Sequence, residues 1–207
     1  MRIIKGDDCV AEGAAWLAEK EPLFAQALSE VGPLPLRLKP EGFSQLLSAI
    51  MGQQVSIASA AAINGRLQDA GLIDEASVAA ASEDDLRACG LSRQKIKYAH
   101  ALANSGIDFN GLRGQSTAEV VKTLTAVSGI GSWTAEIYAM FSLGHADVFA
   151  SGDLALQEAA RILFELPERP KEKQMRQMAL DWSPWQSVAA RILWAYYRVA
   201  KDREGIT

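Results

Sequence analysis

Apolar residues return at three- and four-residue intervals along most of the chain, and sustained two-residue alternation is absent, so the pattern reads as all-α. The segment SEDDLRACG opens on Ser82 as a cap, carries acids in its first turn and stops at Gly90. SRQKIKYAHALANSG follows and ends at Gly106. STAEVVKTLTAV starts at Ser116 and places Glu119 three residues on, the spacing of a capping box, with Val120, Leu124 and Val127 on one face. WTAEIYAMFSLG sets Trp133, Ile137 and Met140 on a common face. A last long helix from about Pro184 is expected to bury Val188, Ile192, Ala195 and Val199 along one stripe. The proline-spaced PLPLRLKP reads as an extended link or edge segment. About nine or ten helices fit.

The 207 residues suit one compact domain or two closely joined helical lobes. Nearly half of them are apolar (49%) and 22% are charged, an ordinary globular balance. No long apolar run marks a signal peptide or a membrane span, which makes the cytoplasm the expected location, without a membrane partner. Cys9 and Cys89 lie far apart and have no metal-type spacing with His100 or His145, so neither zinc nor an iron–sulfur cluster is expected. Both histidines read as ordinary helix or loop residues. A net charge of −4 argues against a broadly basic coat for nucleic acid while leaving room for one basic face.

The stretch VSGIGSWTAEIYAM raises a more specific question, because a glycine turn leads straight into a tryptophan at a helix start. A dinucleotide fingerprint fails here: the turn follows a helix instead of a strand, and Thr134 stands where the third glycine belongs. What remains is helix, glycine hairpin, helix. Such a turn is either a plain connection between packed helices or a place where outward backbone N–H groups meet a phosphate.

LTAVSGIGSWTAEIYAMFSLGHADVFASGDLAL resembles the helix-hairpin-helix and following catalytic segment of the DNA glycosylase superfamily, most closely its alkylation-repair branch, the 3-methyladenine DNA glycosylase II family. AIMGQQVSIASAAAINGRL is similar to that family's second signature, and GLSRQKIKYAHALA to its middle helix. The resemblance spans roughly residues 42 to 200, and three signatures occur in the family's order. It implies an all-α helix-hairpin-helix glycosylase fold, two helical lobes flanking an active-site cleft, formed by residues 1–207 as one domain with the hairpin motif at about 116–144. The chain reads as a short form without the N-terminal β-rich domain of longer members.

By this resemblance, the backbone around Gly129, Gly131 and Ser132 holds a DNA phosphate, and the hairpin carbonyls are able to hold a monovalent cation; no other cofactor is implied. Thr134 either assists the phosphate or caps its helix. Asp153, read from position alone, is an acid in a helix's first turn just past a Ser151 cap, while Asp147 reads as a loop residue. The family match makes Asp153 the catalytic aspartate. Cleaving a base–sugar bond builds positive charge on the sugar, which a carboxylate stabilises, or the acid orients the attacking water. No second acid is evident, and an alkylated purine already carries the charge that helps it leave.

Lyase-type relatives carry a lysine where this chain has Trp133, so a monofunctional enzyme is expected. Trp133 reads either as a core residue or, by resemblance, as a base-pocket wall whose π-face attracts a cationic base. Helical geometry puts Trp194 away from the buried stripe, on the side of Arg191, Arg198 and Lys201, and it matches an aromatic wall of the family's pocket. Ile137 and Ala195 replace aromatics found in some members, leaving Tyr138 and Trp185 as compensating candidates. Gln53 and Gln54 read as turn or capping amides; by resemblance Gln54 is the wedge that fills the vacated stack and Gln53 contacts the opened duplex. Arg93, Lys95, Lys97 and Arg191 are candidates for steering DNA.

The reading implied is a monomeric, cytoplasmic, nucleoid-associated glycosylase that hydrolyses alkylated purines from double-stranded DNA. The alternatives are a relative acting on deaminated or mismatched bases and a noncatalytic helix-hairpin-helix DNA-binding module.

Overall fold

The structure, a computed structural model, describes residues 1–204 in backbone and 1–201 in side chain. Twelve α-helices and one short 3-10 turn, Gly111–Gly114, occur among the described residues, and the only β-type pairing there is an isolated bridge between Ile3 and His145. All-α is therefore what the chain forms. The helix count exceeds the sequence reading because short helices such as Glu75–Ala80 leave too little periodicity to register. The chain divides into two compact units, and the division falls within one helix, after Tyr138.

The first unit comprises Met1–Leu38 and Ala139–Thr207. It contains α1 (Asp7–Lys20), α2 (Pro22–Val31), α10 (Leu154–Leu163), α11 (Glu172–Leu180) and α12 (Gln186–Glu204). Helix α12 packs on α1, α2 and α10. Its stripe of Val188, Ile192 and Ala195 is buried as the periodicity predicts, whereas Val199 is half-buried. Phe24 meets Trp182 and Phe164 edge-on, at 5.3 and 5.7 Å between ring centres, and Phe164 stacks on Trp182. Pro33 to Pro40 forms neither helix nor strand.

The second unit, Lys39–Tyr138, holds α3 (Phe43–Met51), α4 (Ile57–Asp69), α5 (Glu75–Ala80), α6 (Glu83–Ala88), α7 (Arg93–Ala103) and α8 (Thr117–Thr125). Helix α9 (Ser132–Phe141) is the one that crosses the division. Helix α7 is the centre of the second unit, packed against α3, α5 and α6 through Ile96, Ala99 and Leu102. Ser116 forms the capping box that its spacing predicts, with Glu119 returning the bond, and Ser82, expected as a cap, forms one too with Asp85.

Candidate functional site

Within the second unit, α8 ends at Thr125 with Ala126 as its C-cap, and the chain turns through Val127–Gly131 into α9. The Ile130 amide donates to the Val127 carbonyl, and Gly131 gives its carbonyl to the Ala135 amide, so α9 begins immediately after the turn. Gly131, Ser132 and Trp133 are exposed, so the start of α9 lies at the surface. The two glycines serve different ends. Gly129 has φ +97°, and a Cβ there would lie 2.4 Å from the Tyr98 ring. Gly131 has no such constraint: a Cβ there would meet nothing in the chain. Its bareness leaves backbone open to something outside the protein.

Thr134 lies inside the first turn of α9 and is buried, as are Tyr138 and Met140. Trp133 is 45% exposed, so the alternative of a core tryptophan is not realised. Ile137 is half-buried. The Tyr138 hydroxyl accepts from the Gly42 amide at 2.7 Å, and burial raises its pKa. A groove of about 630 Å³ runs along the hairpin, lined by Gly52, Gln53, Gln54, Tyr98, Trp133 and Thr134 with the turn itself. The glutamine pair and the hairpin, far apart in sequence, therefore share one surface. Gln54 is exposed with φ +56°, and Gln53 donates its amide to the Gly129 carbonyl at 2.9 Å.

Within the first unit, Asp153 is not a first-turn acid past a Ser151 cap; it is itself the N-cap of α10. Its Oδ1 accepts from the amides of Ala155 and Leu156 at 2.9 and 3.0 Å, which a serine two residues earlier is too far back to reach. Ser151 is fully buried instead, its carbonyl held by the Gln157 side chain. The same Oδ1 also accepts from the Trp194 indole N–H at 3.3 Å. The loop after α9 is tied to the N-terminal segment: the Ile4 amide donates to the Gly144 carbonyl and the Ala146 amide to the Arg2 carbonyl. Asp147 accepts from the Ser183 hydroxyl at 2.9 Å.

Trp194 is half-buried and faces Phe141, ring centres 5.8 Å apart and tilted by 31°. Phe141 escaped the sequence reading, which took Met140 for the face. Counting by fours from Trp133 through Ile137 reaches Phe141, and that was the available signal. Arg191, a surface cation by the sequence pattern, is instead 1% exposed and sits over Phe141 at 4.8 Å. Its guanidinium donates to the Leu36 carbonyl and to the carbonyl and hydroxyl of Ser187. Burial, with Arg37 nearby, pushes its pKa down to about 10. It belongs to the interior and cannot steer DNA. Trp185, offered as a compensating pocket aromatic, is 2% exposed and packs inside this unit beneath the Arg2 guanidinium. Arg93 and Lys97 are exposed, while Lys95 donates to the Met51 carbonyl and its pKa is lowered by burial.

A glycine hairpin opening a helix, followed by a helix capped by an aspartate under a tryptophan, defines a helix-hairpin-helix protein with one candidate carboxylate. Residues 47–184 match the family described as HhH-GPD superfamily base excision DNA repair protein, and the chain belongs to that family. It is 29% identical over 173 residues to DNA-3-methyladenine glycosylase 1 of Schizosaccharomyces pombe, covering 78% of this chain and 75% of that one. Its fold matches a crystal structure of a DNA-3-methyladenine glycosidase from Bacillus halodurans with TM-score 0.83 and 35% identity, over 98% of this chain and 95% of the other. The Schizosaccharomyces pombe 3-methyladenine DNA glycosylase in complex with abasic DNA matches with TM-score 0.75 and 26% identity, over 92% and 97% of the two chains. No helix among the described residues is long and apolar enough to cross a membrane.

Proposed function

We propose that this protein is a monofunctional DNA glycosylase that hydrolyses the N-glycosidic bond of alkylated purines, of the 3-methyladenine and 7-methylguanine type, in duplex DNA. The observation that carries the reading is the Asp153 carboxylate, fixed by two backbone amides and the Trp194 indole in a chain of this family. Positive charge that develops on the sugar as the base departs is stabilised by a carboxylate already in place, with no reorganisation at the moment of reaction. The same group orients the attacking water. An alkylated purine leaves as a neutral base, so no second acid is required.

The hairpin amides at Gly131 and Ser132 grip a backbone phosphate, with Thr134 in the same turn and the turn carbonyls open to a monovalent cation. Extruding the nucleotide costs a few kcal/mol, which Gln54 offsets by filling the gap in the stack. Trp194 offers its ring to the cationic base, a contact giving about 0.5–2 kcal/mol. Trp133 has no amine, so no Schiff base forms and the strand stays intact.

Methylated duplex DNA incubated with the protein, followed by chromatography of released bases, tests the reading. Release of 3-methyladenine with an uncut strand is expected. Release of uracil or hypoxanthine from duplexes carrying those bases, with no release from methylated duplex, would move the assignment to deaminated bases, and binding without release from any of them would make this a DNA-binding module.

A further inference from the structure

Helix α7 presents two side chains one turn apart to two different loops. Lys95 reaches the Met51 carbonyl, the last residue of α3 and the stem of the loop that carries Gln53 and Gln54. Tyr98 lays its ring against Gly129 in the hairpin, and the Gln94 amide donates to its hydroxyl. The third side of this triangle is closed by Gln53, whose amide meets the Gly129 carbonyl from 76 residues away in sequence. Next to it, Gln54 holds a left-handed backbone, φ +56°, which an L residue adopts at a cost and keeps only where its surroundings impose it.

We infer that Gln53 is a positioning residue that latches the wedge loop to the hairpin, so that the phosphate grip and the wedge act in fixed register. This goes beyond a duplex contact for Gln53 and rests on the proposed reading for the roles of hairpin and Gln54. The chemistry of the latch is a donor to a carbonyl, so an isosteric loss of the donor breaks it. Gln53→Glu removes the N–H and sets carboxylate oxygen against carbonyl oxygen. Gln53→Met keeps the length without any polar atom and serves where the carboxylate disturbs folding.

Two measurements test the latch. In the free protein, backbone amide NMR signals of Gly129, Ile130 and Gly131 shift in Gln53→Glu and Gln53→Met. Binding to a duplex with a tetrahydrofuran abasic analogue weakens by about fivefold, the value of one ordinary hydrogen bond. In a Gln54→Ala background that loss shrinks, because the residue being positioned is gone. Hairpin signals that superimpose on those of the wild type, or losses from Gln53→Glu and Gln54→Ala that simply multiply, would overturn the latch and leave Gln53 a direct duplex contact. A wild type that neither binds duplex nor releases bases would sink the proposed function alone, since the free-protein signals report the latch independently.

Discussion

The Trp194 indole N–H points at Asp153 Oδ1, 3.3 Å away, and that oxygen also caps α10. One residue thus fixes both the helix start and the aromatic wall beside it. Trp194→Phe keeps an aromatic face and loses the donor. A hydrogen bond of this length to a half-exposed charged group supports a loss in the base-release rate of about tenfold, at the low end for charged partners. Trp194→Ala, which removes the face as well, should lose more. Single-turnover rates for the two variants would separate the donor from the ring, and a Trp194→Phe protein as fast as the wild type would show that the donor contributes nothing.

The cap and the chemistry at Asp153 are separable by substitution. Asparagine caps helices about as well as aspartate, so Asp153→Asn should melt within roughly 0.5 kcal/mol of the wild type, whereas Asp153→Ala should lose about 1 kcal/mol. Denaturant titration checks both. An Asp153→Asn protein as unstable as the alanine variant would mean that charge at the cap matters more than shape.

The hairpin glycines predict opposite phenotypes. Gly129→Ala forces a left-handed φ of +97° on a side chain and drives it into Tyr98, so it should destabilise the fold by about 1–3 kcal/mol. Gly131→Ala meets nothing in the chain and should leave stability within about 0.5 kcal/mol, yet weaken duplex binding, because the added methyl would occupy the proposed phosphate site. Melting curves beside binding isotherms would distinguish the two. Normal binding by a stable Gly131→Ala protein would remove the phosphate from that position.

His145, fully buried next to the bridge with Ile3, has its pKa lowered by burial from the ordinary 6.5, with the N-terminal charge adding to the shift. Between its folded value and 6.5 the unfolded chain binds the proton and the folded chain does not, so stability rises with pH through this window. The contribution is present above 6.5 and is lost as pH falls toward the depressed folded value. The melting temperature of the wild type should drop more than that of His145→Gln between about pH 7 and pH 5, and identical slopes would exclude the histidine as the cause.

Much of this was legible in the chain because it is local. Ser82 announces itself as a cap, Ser116 and Glu119 announce their capping box by spacing, and the glycine turn announces the hairpin. What escaped depends on distant partners. Arg191 lies near Trp194 and Arg198 on a helical projection, and nothing in the sequence says that Leu36, Ser187 and Phe141 close over it. Ser151 and Asp153 are both good caps, and only the geometry of α10 decides between them. The contact of Gln53 with Gly129 is invisible for the same reason, since their separation in sequence carries no period.

The most direct measurement compares wild type with Asp153→Asn for single-turnover release of 3-methyladenine from methylated duplex, with binding to an abasic duplex followed in parallel. Removing the charge while keeping the cap should cut release by at least about a hundredfold and leave duplex binding intact. Release by Asp153→Asn at a rate close to that of the wild type would contradict the assignment of this carboxylate to the bond-breaking step.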